Sequence, residues 1–226
     1  MSSQGDKWAE EFQRQIQSGS YPKWPNEAMV KVIFGNYLKV TRRPNPTWRV
    51  LDVGSFLGNN LLPFAEIGCE CHGVDIHPDI VAAAYKIMHA RGFNCLFKEG
   101  TNRALPYEDH SFDLIISINT LHYEGNEENI LLALKEFRRV LKNDGSLYLS
   151  TVGPQHEIQR RALIKGNHSY LVANYDFRNG QEFFCFDTER YLEFYLKRFF
   201  NEVEVGRVTE QLMTIPLDFL IAYCRP

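Results

Sequence analysis

The chain has 226 residues, enough for one α/β domain with its own core, and its formal net charge of −3 gives no reason to expect nucleic acid as a partner. Charged residues at 23% and apolar residues at 44% are ordinary for a globular protein, and no apolar run is long enough to span a bilayer, so no membrane partner is expected. The opening MSSQGDKWAEEF lacks the basic-then-apolar layout of a signal peptide, which points to the cytoplasm. Five cysteines, Cys69, Cys71, Cys95, Cys185 and Cys224, are odd in number and show no CxxC spacing. They read as buried reduced thiols rather than a disulfide framework or a zinc site, and no metal is expected.

Residues 1–25 are polar and aromatic and end in YPKWP, Tyr21–Pro25, whose prolines hold that segment extended. Asn26 caps a predicted helix through Ala28, Met29, Val32, Ile33 and Leu38, and Arg42–Thr47 is a loop. The stretch WRVLDVGSFLGNN, Trp48–Asn60, reads as a strand at Arg49–Val53, a turn at Gly54 and a helix from about Leu57 to a stop at Gly68. A glycine turn leading into a helix N-terminus presents backbone that can approach a ligand closely. Cys69–Ile76 is a second strand, and Pro78 opens a helix through Ala82, Tyr85 and Met88 towards Gly92. Asn94–Gly100 is a third strand, and the nearly unbroken apolar run Ser111–Ile118 reads as a central one. An amphipathic helix carrying Ile130, Leu131, Leu134, Phe137, Val140 and Leu141 runs to a stop at Gly145, and SLYLSTV is a fifth strand. This alternation predicts a mostly parallel sheet with helices on both faces. The pattern then changes to a polar helix candidate at 154–166 and an aromatic-rich irregular segment to 186. Asp187 is expected to cap a last helix with Tyr191, Leu192, Tyr195, Leu196 and Phe199 on its apolar side. Two final strands, near Glu202–Val208 and Leu217–Tyr223, form an antiparallel pair at the sheet edge.

Asp52 stands just before the first glycine of the turn, where a dinucleotide fold would begin its motif with glycine. An acid there suits a cationic or hydroxyl-rich ligand. Asp75 closes the second strand, at the place where an acid accepts ribose hydroxyls; the competing reading is an acid favoured by a helix dipole. Asn119 and His122 follow the fourth strand, on the edge where open sheets bind ligands. His122 is the candidate general base, with an orienting imidazole as the alternative, and His156 and His168 compete for the role. His72, His77, His89 and His110 read as structural or surface groups.

The run Asp52–Gly58 resembles the first motif of class I S-adenosylmethionine-dependent methyltransferases, acid-x-Gly-x-Gly-x-Gly, at Asp52, Gly54 and Gly58, and departs from it at Phe56. EGTNRALPY resembles the family's adenine-holding segment at Gly100, Leu105 and Pro106, with Thr101 in place of the usual acid, and Pro106–Tyr123 is the most family-like run. The resemblance covers about residues 45–152 and the closing helix and strands. It implies methyl transfer from S-adenosylmethionine to a small-molecule acceptor, with donor and acceptor held in line. The implied cofactor contacts are Asp52, Gly54, Ser55, Gly58, Asn59, Asp75, Ile76, Thr101, Asn102 and Asn119. YPKWPNE and the Gly58–Asn60 triplet are similar to a bacterial subgroup with an N-terminal lid, in which Trp24 would cover the cofactor's methionine end beside Tyr21. That subgroup points towards sugar-linked or polysaccharide-pathway metabolites. Tyr21, His156, Tyr170 and Arg178 are the acceptor candidates, although Asp176 and Arg178 also read as a solvated pair.

The expected fold is a single α/β domain with a seven-stranded, mostly parallel Rossmann-like sheet and an antiparallel final strand. It divides into a lid and helix (1–45), a cofactor-binding core (46–152), a substrate-facing insertion (153–186) and closing elements (187–226). A bulky side chain avoids positive φ, so Phe56 is expected to keep a negative φ with its ring turned from the cofactor. Two other readings stay open. One is a nicotinamide-dependent oxidoreductase, against which Asp52 and the antiparallel strand count. The other is a domain that binds the cofactor without transferring a methyl group, kept open by Phe56 and Thr101.

Overall fold

Five strands alternate with helices to build the parallel part of the main sheet: β1 (Arg49–Val53), β2 (Glu70–Asp75), β3 (Leu96–Glu99), β4 (Phe112–Ile118) and β5 (Leu141–Val152). They pair in the order β3-β2-β1-β4-β5. The next three strands, β6 (Ala162–Gly166), β7 (Ser169–Val172) and β8 (Glu182–Phe184), form a separate antiparallel sheet. β9 (Glu202–Leu212) and β10 (Ile215–Arg225) are a hairpin that returns to the main sheet. β10 pairs antiparallel with β5 and leaves β9 at the edge, completing seven strands. The computed structural model describes residues 4–40 and 42–226; Met1–Ser3 and Thr41, within the segment expected to form the lid, lie outside the described residues.

The two-residue strand period divides the core between the faces of the sheet. Leu51, Val53, Ile115, Leu147 and Leu149 face α5 (Glu127–Val140) and α7 (Glu189–Leu196). Val50, Leu114, Ile116 and Tyr148 face α2 (Glu27–Phe34), α3 (Leu62–Ile67) and α4 (Pro78–Ala90). Burial on both sides is why these strands read as continuous apolar runs. Asn26 caps α2 by accepting the Met29 N–H at 2.9 Å, and Gly68 ends α3 at φ 96°, both as expected.

Several boundaries differ from the sequence reading. Residues 4–18 form a helix, α1 (Gln4–Ser18), with Trp8 and Phe12 four apart on one face. α2 stops at Phe34, short of Leu38, where the Gly35 N–H closes on the Lys31 carbonyl. The helix after the glycine turn begins at Leu62 rather than Leu57, because a 3-10 turn at Asn59–Leu61 intervenes. α5 ends at Val140 and not at Gly145: Leu141 already pairs with Phe112, and residues 142–145 bulge before Ser146 pairs with Leu114. The helix candidate at 154–166 yields only α6 (Glu157–Arg160) before the chain turns into β6, and the irregular segment after it holds β7 and β8. The cap of α7 is Thr188, whose hydroxyl accepts the Tyr191 N–H at 3.1 Å, while Asp187 pairs instead with His168.

Candidate active site at the carboxyl edge

The turn after β1 folds onto the end of β2. The N–H groups of Gly54 and Ser55 both donate to the Val74 carbonyl, at 2.8 and 2.9 Å. Gly54 has φ 71°, and a Cβ there would sit 2.1 Å from Cγ2 of Thr120. Only glycine lets the β1 turn and the β4 turn approach this closely.

Phe56 corrects the sequence expectation: its φ is +48°, in the left-handed region. The Asp75 carboxylate accepts the Phe56 N–H at 3.0 Å, and the ring packs 4.7 Å from Phe12 of α1. The turn therefore keeps the shape a glycine would adopt, at a cost of about 1–2 kcal/mol, and these two contacts offset it.

Asp52 is fully buried and neither carboxylate oxygen has a hydrogen-bond partner; the Ser55 hydroxyl is likewise buried and unpartnered. Burial pushes the Asp52 pKa up to about 8, assisted by the charge of Asp75 and opposed by the nearby Asn60 amide, which does not close a hydrogen bond with it. Asp75 is nearly buried, and burial raises its pKa, while the Phe56 and His77 N–H groups oppose the rise. Ile76, one residue on, is exposed at the same edge.

The loops beyond β3 and β4 meet this turn. Thr101 is exposed and closes a tight turn by pairing with Ala104. Asn102 donates to Glu124 at 2.9 Å and lies 3.4 Å from the Thr120 hydroxyl, which also meets Ser117 at 2.9 Å. Asn119, at φ 57°, accepts from the Ser150 hydroxyl at 2.9 Å, so its backbone turns the chain over the end of β5. His122 follows in a 3-10 turn, buried, with Nδ1 3.4 Å from the Thr151 hydroxyl and its ring 4.2 Å from Tyr123. Burial lowers its pKa to about 3, helped by His156 and the cation of Arg178, so the imidazole is neutral at ordinary pH.

A cap covers this edge. α1 reaches the insertion at one end, where Lys7 donates to the Asn179 carbonyl, and α4 at the other, where Gln13 donates to Asp79. Trp8 packs edge-on against Tyr123 at 5.0 Å and Phe177 at 4.8 Å. Trp8 and Phe12 pack over this edge; of the residues expected to form the cover, the Trp24 indole is 80% exposed and Tyr21 is half-buried beside Lys23. Asn59 and Asn60 serve that segment's backbone: Asn59 donates to the Trp24 carbonyl at 2.7 Å, and Asn60 accepts the Asn26 N–H at 3.0 Å. Gly58, at φ 78°, packs against Phe97 and Met88.

In the insertion, buried His156 caps α6 by accepting the Ile158 N–H, and its pKa is lowered to about 4, chiefly by burial. Tyr170 stacks on Phe183 against an apolar cluster with Val152 and Ile158. Arg178 pairs with Asp176 and lies over Phe177, inside the cap. Sequence reasoning missed Trp8, Phe12, Thr120, Tyr123 and Glu124. The first two carried a signal in their four-residue spacing; Thr120 and Tyr123 flank the singled-out His122, Glu124 follows them, and no local pattern marks these three.

Residues 50–145 match a family model described as a methyltransferase domain. The core of this chain is thus similar to a methyltransferase domain over residues 50–145. An uncharacterised methyltransferase of Bacillus subtilis, YcgJ, is 36% identical over 102 residues, 45% of this chain and 39% of that protein. The demethylmenaquinone methyltransferase of Chlorobaculum tepidum is 31% identical over 118 residues, 52% of this chain and 44% of that protein. The matched stretch is thus under half the length of these relatives. In fold, a SAM-dependent methyltransferase from Methanosarcina mazei superposes with TM-score 0.65 at 23% identity, covering 80% of this chain and 93% of that one. The PH0226 protein of Pyrococcus horikoshii superposes with TM-score 0.63 at 21% identity, covering 88% and 89%. The matched stretch ends before the insertion, so the cap lies outside it, except for Tyr123. No helix among the described residues is long and apolar enough to cross a membrane.

Proposed function

We propose that this chain transfers a methyl group from S-adenosylmethionine to an oxygen or nitrogen of a small molecule. One observation carries the reading: the buried carboxylate of Asp52 has no partner, at a glycine turn that Asp75 also holds. Two acids at such a turn, the first holding its proton until a cation reaches it, suit a ligand with an amine and vicinal hydroxyls and offer no donor set for a pyrophosphate. The antiparallel β10 is also foreign to a dinucleotide-binding sheet.

These residues fit S-adenosylmethionine. Asp75 and Ile76 would hold its ribose side, Thr101 and Asn102 its adenine, and Asp52, Gly54, Ser55 and Asn119 its amino-acid end. When bound, it supplies a methyl already activated on sulfonium. The chain's own work is then alignment and exclusion of water, with α1 as the cover. We assign His122 to orienting the acceptor. With its pKa lowered to about 3 it is neutral, able to accept a hydrogen bond, and too weak a base to deprotonate an alcohol fully. A sugar-linked acceptor remains part of the proposal, on the likeness of Tyr21–Glu27 and Gly58–Asn60 alone. The proposed compartment is the cytoplasm, which suits five buried free thiols.

Calorimetry with S-adenosylhomocysteine and NAD tests the cofactor: the first should bind and the second should not. A metabolite screen for cofactor-dependent gain of a methyl group then tests transfer. His122→Asn should keep most of the turnover, since an amide can replace the hydrogen bond; a loss of about 10²–10⁴-fold would restore the general-base role.

A further inference from the structure

Two loops of the candidate site share one carboxylate. Glu124 closes the 3-10 turn Leu121–Glu124, one residue after Tyr123 and two after His122, and its side chain is 9% exposed. Its Oε1 accepts the Asn102 side-chain N–H at 2.9 Å, and its Oε2 meets the Arg103 Nε at 2.8 Å. Asn102 and Arg103 are the central residues of the turn after β3, which Thr101 and Ala104 close by exchanging both backbone hydrogen bonds, at 3.2 and 3.1 Å. Both side chains at the tip of that turn therefore end on Glu124. From α5, the Asn129 side chain donates to the Glu124 carbonyl at 3.0 Å.

The link is charge-assisted and sheltered, so the two loops move together or forfeit both bonds. Burial raises the Glu124 pKa, and the Asn102 and Arg103 donors oppose the rise. The Thr120 hydroxyl donates to Asn102 Oδ1 at 3.4 Å, so the Asn102 amide is committed to the protein and would meet a base through its backbone. Within the 3-10 turn the backbone bonds are longer than the Glu124 contacts. The Tyr123 N–H donates to the Thr120 carbonyl at 3.1 Å, and the Gly125 N–H to the His122 carbonyl at 3.3 Å. A turn held in this way takes its order from the loop it is tied to.

We infer that Glu124 is a positioning residue that couples the cofactor's base to the acceptor side. A base held at Thr101 and Asn102 fixes the turn after β3, and Glu124 passes that order to the turn carrying His122 and Tyr123. The inference rests on the proposed reading, which puts the base at the first turn and the acceptor at the second.

The unmodified chain tests it first. S-adenosylhomocysteine is compared with S-ribosylhomocysteine, which keeps the ribose, the thioether and the amino acid but has no base. Hydrogen exchange of the Tyr123 and Gly125 amides is read with each ligand at saturation. S-adenosylhomocysteine should slow both amides about tenfold more than S-ribosylhomocysteine does, within the usual range for coupled sites. Calorimetry then compares variants. Glu124→Ala should weaken S-adenosylhomocysteine about tenfold, leave S-ribosylhomocysteine within about twofold, and abolish the base-dependent protection. Glu124→Gln, whose side-chain carbonyl still accepts from Asn102, should recover part of both losses. A residue that served the fold alone would weaken the two ligands alike. Equal protection by the two ligands, or an equal loss of affinity for both in Glu124→Ala, would overturn the inference and leave the methyltransferase reading standing. An unmodified chain that binds neither ligand overturns both.

Discussion

The two halves of the candidate site are held together by different physics. The β1 turn is fixed by backbone: paired N–H groups on Val74, a carboxylate on the Phe56 N–H, and a Gly54 approach that admits no Cβ. The cap is fixed by side chains: ring edges at 4.7–5.0 Å and single polar bonds from Lys7, Trp8 and Gln13. Backbone ladders open only with the sheet, whereas ring contacts and lone surface bonds open locally. On the proposed function, cofactor geometry would belong to the rigid half, and acceptor choice and access to the half that can part from it.

The largest expected effect breaks the rigid half. Gly54→Ala forces a Cβ against Thr120 Cγ2 and strains a φ of 71°, which should destabilise the fold by about 2–5 kcal/mol. Thermal melts should show it, and Thr120→Ser should recover part of the loss by removing the clashing methyl, but not the backbone strain.

Asp52 tests whether the rigid half is strained for function. Its folded pKa of about 8 lies well above the ordinary carboxylate range, chiefly through burial. The unfolded chain thus releases this proton at lower pH, and stability falls as pH rises from about 4 to 8. Asp52→Asn should therefore be the more stable protein at pH 8, by about 2–4 kcal/mol, with the gain vanishing near pH 3.5. Denaturant titrations across pH measure it. S-adenosylhomocysteine affinity should fall in the same variant, and a variant that bound it unchanged would remove Asp52 from the site.

Trp8→Ala should part the halves. It removes the indole's contacts with Phe12, Tyr123 and Phe177 and should cost about 1–2 kcal/mol in the docking of α1. Hydrogen exchange should show lost protection in α1 and none in β1 or β4. Loss of protection in all three would mean that the cap and the core open as one unit.

The smallest effect lies at the joint. Phe56→Gly relieves a φ of +48° but gives up the Phe12 contact and adds unfolded-chain entropy. The net change in stability should be under about 1 kcal/mol. Proteolysis within α1 should nevertheless speed up, because one of its ring contacts is gone.

The elements that sequence alone identified are those whose burial is imposed on both faces. Val50–Val53 and Leu114–Ile116 have no polar side to expose except Asp52, so only a covered parallel strand suits them. The place of Asp52 and Asp75 was legible for the same reason: an acid inside an apolar run is conspicuous. The cap was not legible, because Trp8, Phe12, Tyr123 and Phe177 meet across more than a hundred residues and no local period records that meeting. Phe56 shows the other limit. Intrinsic preference argued for negative φ, but the Asp75 carboxylate and the Phe12 ring, both supplied by distant segments, hold it at +48°. Local chemistry determined the strands, the turn and the acids on it. Whether a carboxylate is left unpartnered or an imidazole neutral depends on burial and on neighbours brought from elsewhere in the chain, and only the tertiary structure decides those.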